Sequence, residues 1–187
     1  MRPERDGGML KEGSAMTNFI CVVNGLEKIE VTPLKSEPTG ELPESQFYQL
    51  NLSNRAWARL EFLDVYLPSV ALHLPHVFVW AGTRLYRQRL ERDSAPQFLD
   101  LESEVLAVYP LGGNWCLICE TLIEVRTRDM KVIQQKFDLL EIILENWWMD
   151  GVLHLRDLSG RSFAFASRGG GDDLLEQVQG DAIEVKV

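Results

Sequence analysis

An all-β fold of mostly antiparallel, blade-like meanders, with one short C-terminal helix, is what this sequence predicts. Three observations carry that expectation. Short runs that alternate apolar and polar residues recur along the chain, the pattern of half-buried strands. Turn dipeptides such as Asn24-Gly25 and Asp150-Gly151 fall between the runs, where a two-residue hairpin needs positive φ angles. The stretch from Glu104 to Ala166 then repeats itself. Glu104-Val-Leu-Ala-Val-Tyr109, a Gly-Gly-Asn turn and Trp115-Cys-Leu-Ile-Cys119 are answered by Glu141-Ile-Ile-Leu-Glu145, an Asp-Gly turn and Val152-Leu-His-Leu-Arg156, with Glu104 and Glu141 37 positions apart. A repeat of that length means stacked hairpins, which build a surface rather than an obvious catalytic centre.

Residues 1–16 are polar and hold Gly7, Gly8 and Gly13, so they read as a disordered tail; residues 17–187 read as a single β-rich domain. Phe19–Val23 and Leu26–Val31 form the first hairpin around Asn24-Gly25, and the proline-rich span Thr32–Ser45 reads as a loop. Phe47–Leu52 alternates and is expected to be a strand. Ser53 is placed to cap a short helix through Trp57, with a strand at Leu60–Leu67 after it. Val70–Leu74, Val77–Trp80 and Leu85–Leu90 follow as strands; in the last, Leu85, Arg87 and Arg89 share one face and Tyr86, Gln88 and Leu90 the other, a mixture suited to a solvated sheet edge. Glu91–Gln97 is a polar connector.

The first repeated unit takes Val105–Tyr109, Trp115–Val125 and Lys131–Phe137, and the second Leu140–Trp147, Val152–Arg156 and Ser162–Ala166. The Asp150-Gly151 turn favours a strand over a helix for Phe137–Trp148. Gly169–Gly171 is a joint, after which Asp172 or Asp173 caps a helix over Leu174–Gln179 that Gly180 ends. Ala182–Val187 closes the chain as a strand.

At 187 residues, 45% hydrophobic and 25% charged, the chain has the balance of a soluble globular protein with enough length to bury a core. A net charge of −9 disfavours nucleic acid and anionic membranes, and it would attract a basic partner. Met1–Ala15 lacks the apolar core of a signal peptide, and the three cysteines Cys21, Cys116 and Cys119 read as free thiols, so a cytoplasmic location is expected. Leu60–Gly82 is apolar, but Glu61, Asp64, Pro68 and Pro75 argue against a membrane span.

Candidate chemistry is sparse. Cys116 and Cys119 form a C-x-x-C, but in a strand positions i and i+3 point to opposite faces, so their sulfurs diverge. His73 and His76 flank Pro75, and a metal would need a third ligand and a turn there; with His154 they read as half-buried histidines. No G-x-S-x-G is present, and Ser53, Ser69 and Ser159 sit in turns or caps. Gly169–Asp173 has the glycines of an anion-binding loop, but it lacks the lysine and puts carboxylates where phosphate would lie. No cofactor or metal is expected. Trp80 and Trp115 lie in apolar runs and read as core. Trp147-Trp148 is the most suggestive pair: adjacent strand residues face opposite ways, so one ring is exposed if one face of the sheet is solvated, and exposed tryptophans anchor interfaces.

A third, upstream unit echoes the two repeats. Leu63-Asp-Val-Tyr66 matches Leu106-Ala-Val-Tyr109, and Leu72-His-Leu74 matches Leu153-His-Leu155. Three such units resemble blades of a β-propeller of the WD40 or kelch kind, and Val152–Arg161 is similar to the strand-turn segment around the Trp-Asp pair of such blades. The resemblance covers about half the chain. Neither a Gly-His nor a Trp-Asp pair is present, and three units fall short of the usual four-blade minimum. A partial propeller and a sandwich both satisfy the pattern.

The expected function is therefore a non-catalytic protein–protein interaction module: an immunity-type inhibitor, or an assembly subunit, that binds a basic partner, with homo-oligomerisation open. The expected interface is Trp147 or Trp148 rimmed by Glu141, Glu145 and Asp150. The competing reading is a small-molecule-binding or enzymatic β-barrel or sandwich with a site near His73 and His154.

Overall fold

The alternating runs do form strands, and in the computed structural model they assemble into four antiparallel sheets. The structure describes residues 19–23, 27–34, 45–52, 55–63, 67–90, 96–168 and 173–186. The expected tail over 1–16, the Asn24-Gly25 turn, Ser53 and the Gly169–Gly171 joint lie outside the described residues.

The first sheet is β1 (Phe19–Val23), β2 (Glu27–Pro33), β3 (Ser45–Leu52) and β4 (Arg55–Leu63), in that spatial order. The second is β5 (Ser69–His73), β6 (His76–Ala81), β7 (Arg84–Arg89) and β8 (Gln97–Asp100). The third runs β9 (Val105–Leu111), β10 (Asn114–Cys119), β11 (Leu122–Arg126) and β12 (Ile133–Asp138), and the fourth β13 (Ile143–Met149), β14 (Val152–Asp157), β15 (Ser162–Arg168) and β16 (Leu174–Gln179). The last strand, β17 (Ile183–Val185), crosses back and pairs with β12 as a fifth strand of the third sheet. Each sheet is a meander, and β5 lies against both β1 and β9.

Several expectations change. The short C-terminal helix is absent: Leu174–Gln179 is β16, held in register along β15, because ladder bonds to a neighbouring strand outweigh the weak local preference of six residues. The segment after Ser53 is likewise a strand, since β4 starts at Arg55 and pairs along β3. Trp115–Val125 is two strands, reversed at Glu120-Thr121. Gln97–Asp100, expected to lie beyond a connector, is the fourth strand of the second sheet. With it, β7 is an interior strand, so the expected solvated edge at Leu85–Leu90 is corrected: Arg87 and Gln88 are buried, and the Tyr86 hydroxyl donates to Gln88 Oε1. The repeat is also one residue longer than the sequence offset. His73, Leu111 and Met149 end the first strand of sheets two, three and four, 38 positions apart, and pair across two-residue turns with His76, Asn114 and Val152.

Stacking buries the sheets face to face. Ile29, Val31, Tyr48, Leu50, Leu60 and Phe62 of the first sheet meet Val77, Val79 and Tyr86 of the second. The opposite face of β6, Phe78 and Trp80, meets Val108, Trp115, Leu117 and Cys119 of the third. Cys116, Ile118, Ile123 and Val125 turn the other way, against Leu153, Leu155, Phe163 and Phe165 of the fourth. Trp80 and Trp115 are core residues, as expected.

Polar clasps fix the third sheet on the fourth. The side-chain amide of Gln135, 7% exposed, accepts from the Leu175 N–H at 2.9 Å and donates to the Leu175 carbonyl at 3.0 Å, so it stands in for a strand neighbour of β16. The Asp173 carboxylate accepts from the Gly113 N–H on the β9–β10 turn, and Tyr109 Oη donates to Asn146 Oδ1 at 2.8 Å. The expected helix-cap or anion-loop role of Asp173 is thus replaced by an inter-sheet bond. Gly112 holds φ +55°, and a Cβ there would overlap the Asp173 carboxylate.

Two stability outcomes follow. Gln135→Leu leaves both Leu175 backbone groups buried without partners, so urea denaturation is expected to show a loss of about 2–4 kcal/mol, against roughly 0.5 kcal/mol or less for Leu at the exposed neighbour Gln134. Gly112→Ala and Gly151→Ala both place a side chain at positive φ, but nothing lies within 4 Å of a Cβ at Gly151. Gly112→Ala is therefore expected to lower the thermal midpoint more; equal drops would remove the clasp.

Candidate functional site

Between the second and third sheets lies a cleft of about 440 Å³ lined by His76, Arg87, Arg89, Gln97, Arg128 and Asp129. The β5–β6 hairpin turn puts His76 at the start of β6, opposite Arg89 on β7. From the next strand pair, Arg87 reaches the same space: its Nη2–H donates to His76 Nε2 at 2.8 Å and its Nη1–H to Gln97 Oε1 at 2.7 Å. Trp115 packs against these side chains, edge-on to His76 at 5.3 Å and beneath the Arg87 guanidinium at 5.9 Å, and its indole N–H donates to the Arg128 carbonyl at 3.1 Å. Gln97 Nε2–H in turn holds the Asp129 carbonyl at 3.2 Å. A second hollow of about 280 Å³ adjoins, sharing His76 and Arg128 and adding His73. His73 Nε2 lies 2.7 Å from the Val108 carbonyl, which only accepts, so that nitrogen carries a proton.

Electrostatics make His76 neutral. Burial first, then the nearby charges of Arg87, Arg128 and Arg89, bring its pKa down from 6.5 to about 4. The cleft therefore presents guanidinium charge with a neutral imidazole, in a chain whose net charge is −9.

The outer face of the fourth sheet is the other distinctive surface. A bulge at Leu144 shifts the register of β13 on β14 and inverts the facing of every residue after it. Ile143 and Trp148 thus both turn inward, Trp148 against the core and 5.8 Å from the Tyr109 ring. Trp147 turns outward, 37% exposed, and stacks on His154 at 5.3 Å with an interplanar angle of 10°. Met149 and Val178 are exposed on the same sheet, and Arg156 pairs with Glu145 at 3.1 Å.

The structure separates several residues that the sequence suggested together. Of Glu141, Glu145 and Asp150, only Glu145 lies beside Trp147; Glu141 precedes β13 and Asp150 sits in the turn after it, at opposite ends of the strand. His73 packs among Phe78 and Trp115, whereas His154 lies under Trp147 on the fourth sheet, so no shared site joins them. Cys116 and Cys119 face opposite cores, Cys21 is on β1 of another sheet, and burial raises both described thiols, Cys119 to about 12. Ser159 donates to Asp157 Oδ1 at 2.8 Å, and Arg161 binds the same carboxylate through its N–H and Nε–H, so that serine belongs to a turn. Burial opposes the Asp157 charge, but these donors outweigh it and hold its pKa below the usual value. The arginine cleft was missed because Arg128 arrives from a distant loop; the visible signal was Arg87 and Arg89 on one strand face.

No protein-family model matches the sequence, and no curated protein matches it. Solved structures do resemble the fold. A crystal structure of HIRA(644-1017) aligns with a TM-score of 0.50 at 12% identity, over 87% of this chain and 52% of that one. A crystal structure of BBS1N in complex with ARL6DN aligns with a TM-score of 0.49 at 12% identity, over 86% and 52%. Four consecutive four-stranded meanders, stacked face to face with their first strands side by side, are blades of a β-propeller fold. The chain spans about half the length of the structures it matches. Among the described residues, no helix is long and apolar enough to cross a membrane.

Neutral His76 gives a pH signature. The unfolded chain takes up the proton before the folded one, so this residue contributes no penalty above about pH 6.5 and a growing one as pH falls toward 4. His76→Gln is expected to flatten that part of the stability profile relative to the parent chain. Parallel urea-midpoint curves between pH 4 and 6.5 would show that His76 does not titrate this way.

Proposed function

We propose that this chain is a non-catalytic protein-interaction module that binds through the outer face of its fourth sheet. The observation that carries the reading is Trp147: outward-facing, stacked flat on His154, with exposed Met149 two residues further on the same strand. The inner face of that sheet is covered by the third sheet, as β-propeller blades are, while these residues remain exposed. A rigid aromatic held in place before binding loses little conformational freedom on contact, which is why tryptophans dominate interface energetics.

The occupant that fits is a protein surface with an apolar centre and basic rim. Glu145 and Glu176 are exposed on this sheet, and the net charge of −9 favours encounter with a positively charged partner. An immunity-type inhibitor of a basic protein and an assembly subunit completed by a second chain are both uses of this surface.

A photo-crosslinking residue at Met149 is expected to capture a basic protein in cells. Adding Trp147→Ala should weaken that capture about thirtyfold, the equivalent of roughly 2 kcal/mol. Capture from a control position at exposed Leu67 alone, or capture unchanged by Trp147→Ala, would defeat the reading. Sedimentation distinguishes a second copy of the chain as the occupant, because the mass would double and Trp147→Ala would restore the monomer.

A further inference from the structure

We propose that the cleft between the second and third sheets is an oxyanion-binding site, in which Arg87 Nε–H and His76 Nδ1–H are the buried donors and Arg89 and Arg128 supply further charge. The argument begins with proton positions. Arginine has no acceptor, so at its 2.8 Å contact with His76 Nε2 the guanidinium donates and the imidazole nitrogen accepts. A neutral imidazole that accepts at Nε2 carries its proton on Nδ1. His76 Nδ1 and Arg87 Nε are the two buried side-chain polar atoms without a hydrogen-bond partner among the described residues. Both are therefore N–H donors, in residues only 4% and 8% exposed that line one cleft. Two buried donors without acceptors call for a ligand that brings oxygens and no protons.

The surrounding charge agrees. Among the described residues, three guanidinium groups line the cleft against one carboxylate, Asp129. That carboxylate is already engaged by its own turn, accepting from Thr127 Oγ1 at 2.6 Å and from the Lys131 N–H at 3.2 Å. Nη1 and Nη2 of Arg87 each make one bond, to Gln97 and to His76, so the guanidinium plane is set before a ligand arrives. A volume of about 440 Å³ admits more than a bare ion. The shared chemistry is an oxyanion, carried either on an acidic peptide segment or as free phosphate. The site lies on other sheets than Trp147 and stands independently of the interaction surface there.

Calorimetric titration of the full chain with inorganic phosphate and with a capped peptide of alternating Asp and Glu tests this, with the Asn/Gln peptide as neutral control. Binding of either anionic probe is expected, weakened at least tenfold in Arg128→Ala and further in Arg89→Ala/Arg128→Ala, both at exposed positions. Nitrogen-detected NMR should show the Arg87 Nε–H resonance moving on saturation. Phosphate binding alone identifies a free oxyanion as the ligand and peptide binding alone an acidic segment; binding of both supports the common chemistry. Failure of both probes, equal binding of the neutral peptide, or affinity unchanged in the double variant overturns the proposal.

Discussion

Face-to-face burial of neighbouring sheets is the constraint on which the rest of this molecule depends. A sheet with one neighbour can keep a solvated face, but the second and third sheets have neighbours on both sides. Their central strands lose polar–apolar alternation: every residue of β6 is buried, and every residue of β10 after Asn114. Val77 and Val79 serve one interface while Phe78 and Trp80 serve the next. One strand thus contributes to two cores, and its hydrophobic transfer is counted on both faces.

Such stacking makes any polar residue on an inner strand consequential. A buried donor or acceptor without a partner costs more than a paired one returns, and several here are matched across the sheet boundaries. Gln135 completes Leu175, His73 meets the Val108 carbonyl, and Tyr109 meets Asn146. Apolar faces can slide over one another with little penalty, whereas these bonds have one geometry each. They fix the sheets in relative register, and the exceptions, His76 Nδ1 and Arg87 Nε, stand out against that pattern.

Much of the architecture was legible because strand and turn chemistry is local. The Asp150-Gly151 turn takes positive φ at both residues, 51° and 78°, as the dipeptide suggests, and the divergence of Cys116 and Cys119 followed from strand parity alone. The last strands of the second and fourth sheets were obscured because Gln97–Asp100 is too short to show a period and Leu174–Gln179 carries no strong preference of its own; both are strands because a neighbour pairs with them. The facing of Trp147 and Trp148 lay beyond periodicity for a sharper reason. A pair of adjacent tryptophans always divides between two faces, but the bulge at Leu144 decides which goes in. Nothing in the residues Ile143-Leu-Glu145 marks that extra position; it is set by matching Ile143 to Asp157 while Trp148 packs beside Tyr109.

The two ends of the stack differ in chemistry, and this constrains how further polypeptide can be added. On the first sheet, alternation places Phe47, Gln49, Arg59 and Glu61 opposite the buried Tyr48, Leu50, Leu60 and Phe62, with the Arg59 guanidinium 4.1 Å over the Phe47 ring. Covering that face means desolvating a charged pair of residues, which is favourable only against a partner that supplies matching charges. The outer face of the fourth sheet instead offers Trp147, Met149 and Val152 around the Glu145–Arg156 pair, and most of that area gains by leaving water. Head-to-tail contact between copies would set the apolar end against the charged one. Contact of two fourth sheets about a two-fold axis would set like against like, with each Trp147 meeting apolar surface.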